Sequence, residues 1–311
     1  MGFFEYLPAY ELNRSPRIIV AFEMDFLRNL ATFKRSLPQG EKMTVLLQLG
    51  WSAELPEVIR ELKERLAEAE NIFPEARFII LANAAGEVEI LKEFAEVILA
   101  QHNAFLDPDR YPLAKPGKRK YDALYIARIT PFKRHFLAKN ISNLHLIGNF
   151  TEKERDCFEE TMKVLAHARW TRKVPSFLIG REIGKAACGL ALSSVEGAMF
   201  SCGEYTLCGV PAVTTRNLGG RDTLLPDFAV KFAEDTPESV AEAVEYWVNN
   251  PLPPEEIRSG FLAKALPQKE RVQELVNSIA GKRVYLPHKL NIRCRLLPHT
   301  KLLHGIRKVQ A

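Results

Sequence analysis

The sequence predicts an α/β protein with two parallel-sheet domains, and three observations lead to this fold class. Short apolar runs alternate with amphipathic stretches of helical period along most of the chain. The length of 311 residues exceeds one ordinary domain. A segment rich in proline and charge separates two such regions. We therefore expect a short N-terminal α/β domain (1–106), a linker (107–120), a C-terminal domain (121–281) and a basic tail (282–311).

In the first domain, aliphatic runs predict strands, and periodic charged stretches predict helices. The expected strands are 17–22, 44–49 and 77–82, and the expected helices cover about 24–37, 56–69 and 87–100. Strands that alternate with helices at this spacing indicate βαβ units, in which the strands are parallel.

The same alternation restarts after the linker. The expected strands are 123–127, 143–148, 189–193, 210–214 and 228–232. The expected helices are about 152–166, a short one ending at 184–187, 237–248 and the remainder to about 280. Two consecutive βα regions therefore predict two sheets of the same kind.

Composition narrows the cellular setting. Hydrophobic residues make up 47% of the chain and charged residues 26%, as in ordinary soluble globular proteins. No apolar run approaches the ~18 residues of a spanning helix, and the N-terminus lacks the basic start of a secretory signal. The five cysteines form no Cys-x-x-Cys pair, which favours a reduced compartment. We expect a cytoplasmic protein, either free or peripheral at the inner membrane face.

The C-terminal tail concentrates positive charge. Residues 282–311 contain eight Lys or Arg and no acid, so the formal net charge of +5 leaves −3 on residues 1–281. Such a segment can lie on anionic lipid or bind nucleic acid, and of the two we expect lipid contact. Alternatively, the tail packs on the acidic body with its charged ends in solvent. Pro287 and Pro298 argue against one continuous surface helix.

Two glutamates, Glu196 and Glu204, are separated by seven residues and lie between the strands expected at 189–193 and 210–214. The loop at the carboxyl end of a strand is where ligands bind in open α/β sheets. We therefore expect both carboxylates at the mouth of a site. The alternative is an acid in the first turn of a helix for Glu196 and a helix-surface acid for Glu204.

Two cations follow the first strand of the C-terminal domain. Arg128 and Lys133 are five positions apart in one loop, so both can reach a single anion. Cations aimed at developing negative charge stabilise a transition state, and Arg adds bidentate geometry. The alternative is a solvated basic loop, because Lys133, Arg134 and His135 can begin a polar helix face.

These motifs occur together in an informative order. Arg128-x4-Lys133, Glu196-x7-Glu204, the turn at 208–211 and the pair Gly219-Gly220 follow one another along the chain. In this order they are similar to retaining glycosyltransferases of the GT-B fold, in particular the large Glu-x7-Glu group (glycosyltransferase family four-like). The resemblance covers about 121–250. It implies two Rossmann-like domains facing a cleft, with 1–106 as an unusually short acceptor-side domain and 121–281 as the donor-binding domain.

The resemblance also implies roles for single residues. Arg128 and Lys133 would hold the donor diphosphate, Glu196 would position the donor sugar, and Glu204 would hold the ribose hydroxyls. The catalytic set is then Glu196, Arg128 and Lys133. The backbone N–H groups of the intervening segment would line the sugar and diphosphate at a helix start. That donor-binding segment is Gly197, Ala198, Met199, Phe200 and Ser201.

The implied activity is a retaining, metal-independent transfer of sugar from a UDP- or GDP-linked donor to a hydroxyl acceptor. The acceptor would be a glycan or a lipid-linked glycan, in surface polysaccharide biosynthesis, and no cofactor is expected. No metal motif is present, since Asp107-x-Asp109 lies in the linker and predicts a turn. Alternatives are a non-catalytic sugar-nucleotide-binding protein attached to membrane or polyanion through its tail, or a GT-B epimerase or phosphorylase.

Other nucleotide and hydrolase classes lack their signatures here. The sequence has no P-loop, no Gly-x-Gly-x-x-Gly after the first strand and no Gly-x-Ser-x-Gly elbow. Two departures from the glycosyltransferase pattern also stand out. Met199 occupies the position of that family's second motif glycine, and its acceptor-side histidine has no clear counterpart. His102 is a candidate for that histidine, with a purely structural role as the alternative.

Overall fold

The computed structural model describes residues 8–38, 40–115, 117 and 119–290, so most of the basic tail lies outside the described residues. Two compact units result, one containing the described residues up to Phe105 and from Leu266 onward, the other spanning Leu106–Ala265.

The sequence-based boundary at 281 differs from this division, which groups the end of the last helix with the first unit. The reason is local packing. The side chain of Gln268 accepts a hydrogen bond from the backbone N–H of Gln101 at 2.8 Å. The segment expected as a linker, 107–120, is grouped with the second unit.

The first unit is built on a five-stranded sheet in the order β1-β2-β3-β4-β5. Strand β1 is antiparallel to β2, and the other neighbours are parallel. The strands are β1 (Tyr10–Arg14), β2 (Arg17–Phe22), β3 (Met43–Gln48), β4 (Ala76–Ala82) and β5 (Glu96–Leu99). Residues 43–48 are all buried, so β3 runs through the core, as its largely apolar sequence favours.

Helices connect these parallel strands. They are α1 (Glu23–Leu27), α2 (Leu30–Ser36), α3 (Pro56–Ile72) and α4 (Ala85–Leu91), with a 3₁₀ turn at His102–Phe105. The single helix expected at 24–37 is two helices, and the helix expected at 87–100 is wrong over its second half. There the chain forms β5, because the edge of β4 offers unpaired backbone groups to Val97, Ile98 and Leu99.

The second unit contains a six-stranded, wholly parallel sheet in the order β11-β10-β9-β6-β7-β8. The strands are β6 (Tyr121–Ile126), β7 (Leu144–Ile147), β8 (Arg169–Thr171), β9 (Ala186–Ala191), β10 (Ala212–Thr214) and β11 (Val230–Phe232). The sequence did not predict β8, which has three residues. The order reverses between β6 and β9, and this is the topological switch point where open α/β sheets bind ligands.

The helices of this unit are α5 (Arg155–Val164), α6 (Ile179–Ile183), α7 (Phe200–Leu207), α8 (Pro237–Asn249) and α9 (Pro254–Ala280), which continues into the first unit. Helix α7 lies close against β9. A Cβ atom at Gly189 would lie 2.2 Å from the ring of Tyr205, so glycine allows this approach. The Tyr205 hydroxyl accepts a hydrogen bond from the Ile126 N–H at 2.8 Å and thereby ties α7 to β6. Among the helices of the described residues, none is long and apolar enough to cross a membrane.

Candidate functional site

The candidate site lies at the switch point of the second sheet, where the loops after β6 and β9 meet. The first loop carries Arg128 and Lys133, and the second carries Glu196 just before α7. Parallel strands end at the same edge of a sheet, so the fold places both loops side by side.

Lys133 and Glu196 form an ion pair at this point, through Nζ and Oε2. Their side chains are only 9% and 14% exposed, so both charges are largely removed from water. The Tyr125 hydroxyl donates to the Lys133 carbonyl at 2.5 Å and fixes the backbone that carries the ammonium. The two loops therefore meet at this ion pair, and the Lys133 ammonium is buried rather than solvated.

Arg128 is placed differently. Its Nε atom lies 3.0 Å from Glu154 Oε1, and its side chain is 54% exposed. The structure therefore brings Lys133 and Glu196 together and leaves Arg128 at the surface beside Glu154. An exposed ion pair of this kind is weak, so the guanidinium can exchange its partner at little cost.

The segment from Gly197 to Ser201 leads into α7. Residues 197–199 and 201 are buried, and residue 200 is half-buried. The Met199 side chain belongs to the hydrophobic core, and the Ser201 hydroxyl donates to the Ile126 carbonyl at 3.0 Å. What this segment can offer a ligand is therefore mainly backbone, at a helix start where N–H groups and the helix dipole favour anions.

Glu204 lies one turn into α7 and is 6% exposed. The Tyr111 hydroxyl donates to its Oε1 atom at 3.0 Å. Burial and the neighbouring carboxylate raise the pKa of the Tyr111 hydroxyl, which therefore remains a donor. Sequence inspection missed Tyr111, because a linker tyrosine carries no signal of a partner 93 residues away.

Two guanidiniums, one largely and one fully buried, lie at the same edge. Arg134 adopts a left-handed backbone conformation (φ 51°) and donates from Nε to the Leu192 carbonyl at 2.6 Å and from Nη2 to Thr215 Oγ1 at 2.5 Å. Its Nη1 atom lies 2.8 Å from Asp235 Oδ2. Arg134 thus connects the segments that follow β6, β9, β10 and β11.

Arg221 is fully buried and makes a bidentate ion pair with Asp222, at 2.8 and 2.7 Å. The same guanidinium also donates to the carbonyls of Ser193 and Thr215, the latter at 2.5 Å. Gly219, two residues earlier, has φ 102°, which glycine adopts without strain. Arg221 therefore holds the ends of β9 and β10 together.

His135 packs between the Lys133 loop and strand β6. Its ring packs on Tyr125 with 4.6 Å between centroids and is 3% exposed. Burial and the nearby Lys133 charge lower the pKa of His135 to about 3. The imidazole is therefore neutral at physiological pH and adds no charge beside the ammonium.

The carboxyl edge of the first sheet carries different chemistry. Glu23 accepts a hydrogen bond from the Gly50 N–H at 2.7 Å, and Glu87 accepts from the N–H groups of Ala53 and Asn83 at 3.1 and 2.7 Å. Burial raises the pKa of each carboxyl to about 7. His102, the sequence candidate for an acceptor-side histidine, is buried here and packs edge-on against a phenylalanine ring.

The site at the second sheet can therefore hold an anionic, hydroxyl-rich ligand. It combines a buried ammonium, a carboxylate that can accept hydroxyl hydrogens, and a helix start. Within the described residues, no group of three or more His, Cys, Asp or Glu side chains is arranged to hold a metal ion.

Comparison with solved structures identifies the fold class. The two parallel-sheet α/β regions resemble sucrose-phosphate synthase from Thermosynechococcus elongatus, with 14% identity, a TM-score of 0.61 and coverage of 84% of this chain and 74% of that one. They also resemble Anabaena HepE, solved with UDP and glucose (16% identity, TM-score 0.60, coverage 84% and 77%). A third is the pneumococcal O-GlcNAc transferase GtfA, solved with UDP and GlcNAc (12%, 0.55, 85% and 61%).

The protein therefore has the GT-B fold, as the sequence predicts. At these identities the likeness shows the fold alone. No protein-family model matches the sequence, and no curated protein matches it either.

Proposed function

We propose that this protein is a glycosyltransferase that moves a sugar from a nucleotide diphosphate sugar to a hydroxyl acceptor. The observation that carries the proposal is the Lys133–Glu196 pair at the switch point of a GT-B sheet, beside the start of α7. A diphosphate leaving group and a hexose need this combination of cation, helix start and carboxylate. The solved structures of HepE and GtfA, which share the fold, hold UDP together with a sugar.

In the proposed mechanism, Lys133 stabilises the charge that grows on the diphosphate as the bond to the anomeric carbon breaks. Arg128 leaves Glu154 and joins Lys133 at the same anion, because the partner of an exposed arginine is easily exchanged. Glu196 accepts hydrogen bonds from sugar hydroxyls and offsets positive charge on the anomeric carbon. Backbone N–H groups of 197–201 line the diphosphate, and Glu204 holds the ribose.

The proposed stereochemical course is retention. The acceptor oxygen bonds to the anomeric carbon on the face that the leaving group vacates, and the acceptor proton passes to a phosphate oxygen of the departing nucleotide. No metal or cofactor takes part in this scheme. The proposed acceptor is a glycan or a lipid-linked glycan of a surface polysaccharide, and the proposed location is cytoplasmic or at the inner membrane face through residues 282–311.

Nucleotide binding tests the donor site. Melting of the full chain is measured with UDP, GDP, ADP and their sugars, and a ligand at one hundred times its Kd should stabilise it by about 2.7 kcal/mol. Lys133→Ala should abolish the shift. Lys139→Ala, which removes an exposed lysine from the same segment, is the control and should retain it. The proposal fails if no nucleotide or nucleotide sugar stabilises the wild-type protein.

Slow hydrolysis of the stabilising nucleotide sugar separates an enzyme from a binding protein. Glu196→Gln should keep nucleotide binding and lose hydrolysis, whereas Glu242→Gln, an exposed acid on α8, should change neither. If the wild-type protein binds the nucleotide sugar but does not turn it over, either alone or with an acceptor, the non-catalytic alternative is favoured instead.

A further inference from the structure

A second concave site lies beside the candidate donor site. This groove has a volume of about 790 Å³ and is lined by residues that follow β10 and β11, among them Arg216, Asn217, Asp222, Phe232, Glu234 and Asp235. The volume is in the range of small-molecule sites. The groove occupies the carboxyl edge of its sheet, the edge at which open α/β sheets bind ligands.

The charges at the groove nearly cancel, which suits a neutral ligand. Three of its side chains are carboxylates, and Arg216 is the one cation among the lining residues of the described chain. Asp222 is held by Arg221 and Asp235 by Arg134, so these two carboxylates are fixed in position. Each carboxylate can accept several hydrogen bonds, which leaves acceptor capacity for hydroxyl groups of a neutral ligand.

The groove also presents an apolar platform. Phe232 ends the edge strand β11 and is 66% exposed. The face of an aromatic ring is negative and attracts C–H groups, and pyranose rings carry C–H groups on one face and hydroxyls around their rim. An exposed ring beside fixed carboxylates therefore matches a sugar better than it matches a peptide or a nucleotide.

Asn217 supplies an unused hydrogen-bonding atom. Its side-chain N–H donates to the Gly219 carbonyl at 3.2 Å. Its Oδ1 atom is buried and has no hydrogen-bond partner within the described part of the chain. An unsatisfied buried acceptor is costly, and a rotation of this half-buried side chain would bring the atom to a ligand hydroxyl in the groove.

The groove is joined directly to the Glu196 segment. Val195 and Leu218 form a parallel bridge, the Glu196 N–H donates to the Leu218 carbonyl at 3.0 Å, and the Leu218 N–H donates to Ser194 at 2.9 Å. The segment that carries Arg216 and Asn217 is therefore hydrogen-bonded to the segment that carries Glu196, the carboxylate of the candidate donor site.

We infer that this groove is a binding site for a neutral saccharide, whose sugar units rest on Phe232. The inference stands on the groove alone, because its shape and chemistry do not depend on the donor.

Direct binding tests the inference without any activity. The full chain is incubated with a panel of neutral di- to tetrasaccharides built from glucose, galactose, mannose or N-acetylglucosamine, and contacts are detected by saturation-transfer NMR. At least one should bind, and Phe232→Ala and Asn217→Ala should each weaken it tenfold or more. The control is Phe177→Ala, which removes a ring that is 77% exposed elsewhere in the unit and should leave binding unchanged.

The outcomes separate the two proposals. If UDP or another nucleotide stabilises the protein but no neutral saccharide binds, or if binding survives both groove variants, the groove inference falls and the donor site stands. If a saccharide binds through Phe232 while no nucleotide does, the glycosyltransferase proposal falls and the groove remains a saccharide site. Binding of sulfated but not neutral saccharides also overturns the inference. Circular dichroism of each variant confirms that it is folded.

Discussion

The two sheets end in opposite chemistry at their carboxyl edges. In the first unit, the buried carboxyls of Glu23 and Glu87 accept hydrogen bonds from backbone N–H groups. In the second unit, the buried cations of Lys133 and Arg221 and the largely buried Arg134 donate to carboxylates and carbonyls. Similar parallel topologies therefore close the same edge with acids in one case and with bases in the other.

This difference indicates which of the two sheet edges is suited to binding an anion. At the first edge, two carboxyls whose pKa is raised to about 7 by burial already accept hydrogen bonds from backbone N–H groups, so a phosphate would compete with them for these donors. At the second edge, guanidiniums satisfy the carbonyls of the loops, and the ammonium of Lys133 is held by a carboxylate that a ligand can replace. Fold alone would not distinguish the two edges, whereas their side chains do.

The largest expected effect comes from Arg221→Ala. This change removes a fully buried cation, leaves Asp222 without its bidentate partner, and takes a donor from the carbonyls of Ser193 and Thr215. Breaking a buried pair in this way costs about 3–5 kcal/mol of unfolding free energy. Urea denaturation followed by hydrogen exchange in β9 and β10 measures it.

The matched control is Arg216→Ala, because Arg216 is exposed. Its effect on the unfolding free energy should be within about 0.5 kcal/mol of zero. Equal costs for the two variants would show that the second edge does not depend on a buried guanidinium.

Next in size is an opposite response of the two units to acid. The pKa of Glu23 is raised from 4.5 to about 7 by burial, so the folded state binds a proton that the unfolded state releases between these values. Lowering the pH from 8 to 5 should therefore stabilise the first unit, by roughly 2–3 kcal/mol from this group. Glu23→Gln should remove this contribution, and Glu57→Gln, at an exposed position, should not.

His135 should act in the other direction. Its pKa falls from 6.5 to about 3 on folding, so between these values the unfolded chain binds the extra proton. Stability of the second unit is therefore lost as the pH falls below 6.5, by about 2 kcal/mol at pH 5. Hydrogen exchange, corrected for intrinsic rates, can follow amides of β3 and β6 separately. A common sign in both units would remove this part of the comparison.

The smallest effect on stability is expected for Arg128→Ala. Arg128 is 54% exposed in its ion pair with Glu154, so the loss of this pair should cost less than about 1 kcal/mol. If Arg128 joins Lys133 at the diphosphate, nucleotide affinity should nevertheless fall about tenfold, equivalent to 1.4 kcal/mol. Isothermal titration with the nucleotide identified by melting measures this.

Arg155→Ala is the control for this prediction. Arg155 makes a comparable exposed pair with Glu152, at 2.6 Å, and has no role in the proposed site. Equal nucleotide affinity in the two variants would assign Arg128 a surface role only.

Much of the fold could be predicted from the sequence, because local signals decided it. Strand β2 begins and ends as expected, and α3 and α8 begin at the expected prolines, Pro56 and Pro237. Strand β5 could not be predicted, since Glu96–Leu99 fits a helical period equally well and only the neighbouring β4 selects the extended form. The short strand β8 could not be predicted from the sequence for the same reason.

The sequence selected Lys133 and Glu196 as members of two spaced motifs, Arg128-x4-Lys133 and Glu196-x7-Glu204. The structure brings these two side chains together. Arg134 and Arg221 act mainly on backbone carbonyls, which every residue possesses. A sequence cannot show which carbonyl a guanidinium will reach. The role of these two arginines in connecting the loops is therefore visible only in the structure. The roles of Lys133 and Glu196 in donor binding remain predictions.

The position of Arg134 has one more consequence. It is adjacent in sequence to Lys133 and, through Asp235, reaches the wall of the groove. A sugar that draws Asp235 toward itself would alter the charge felt by the next residue in the chain. Thermodynamic linkage then requires that saccharide and nucleotide change each other's affinity by the same factor. Arg134 would in this way couple saccharide binding in the groove to nucleotide binding beside Lys133.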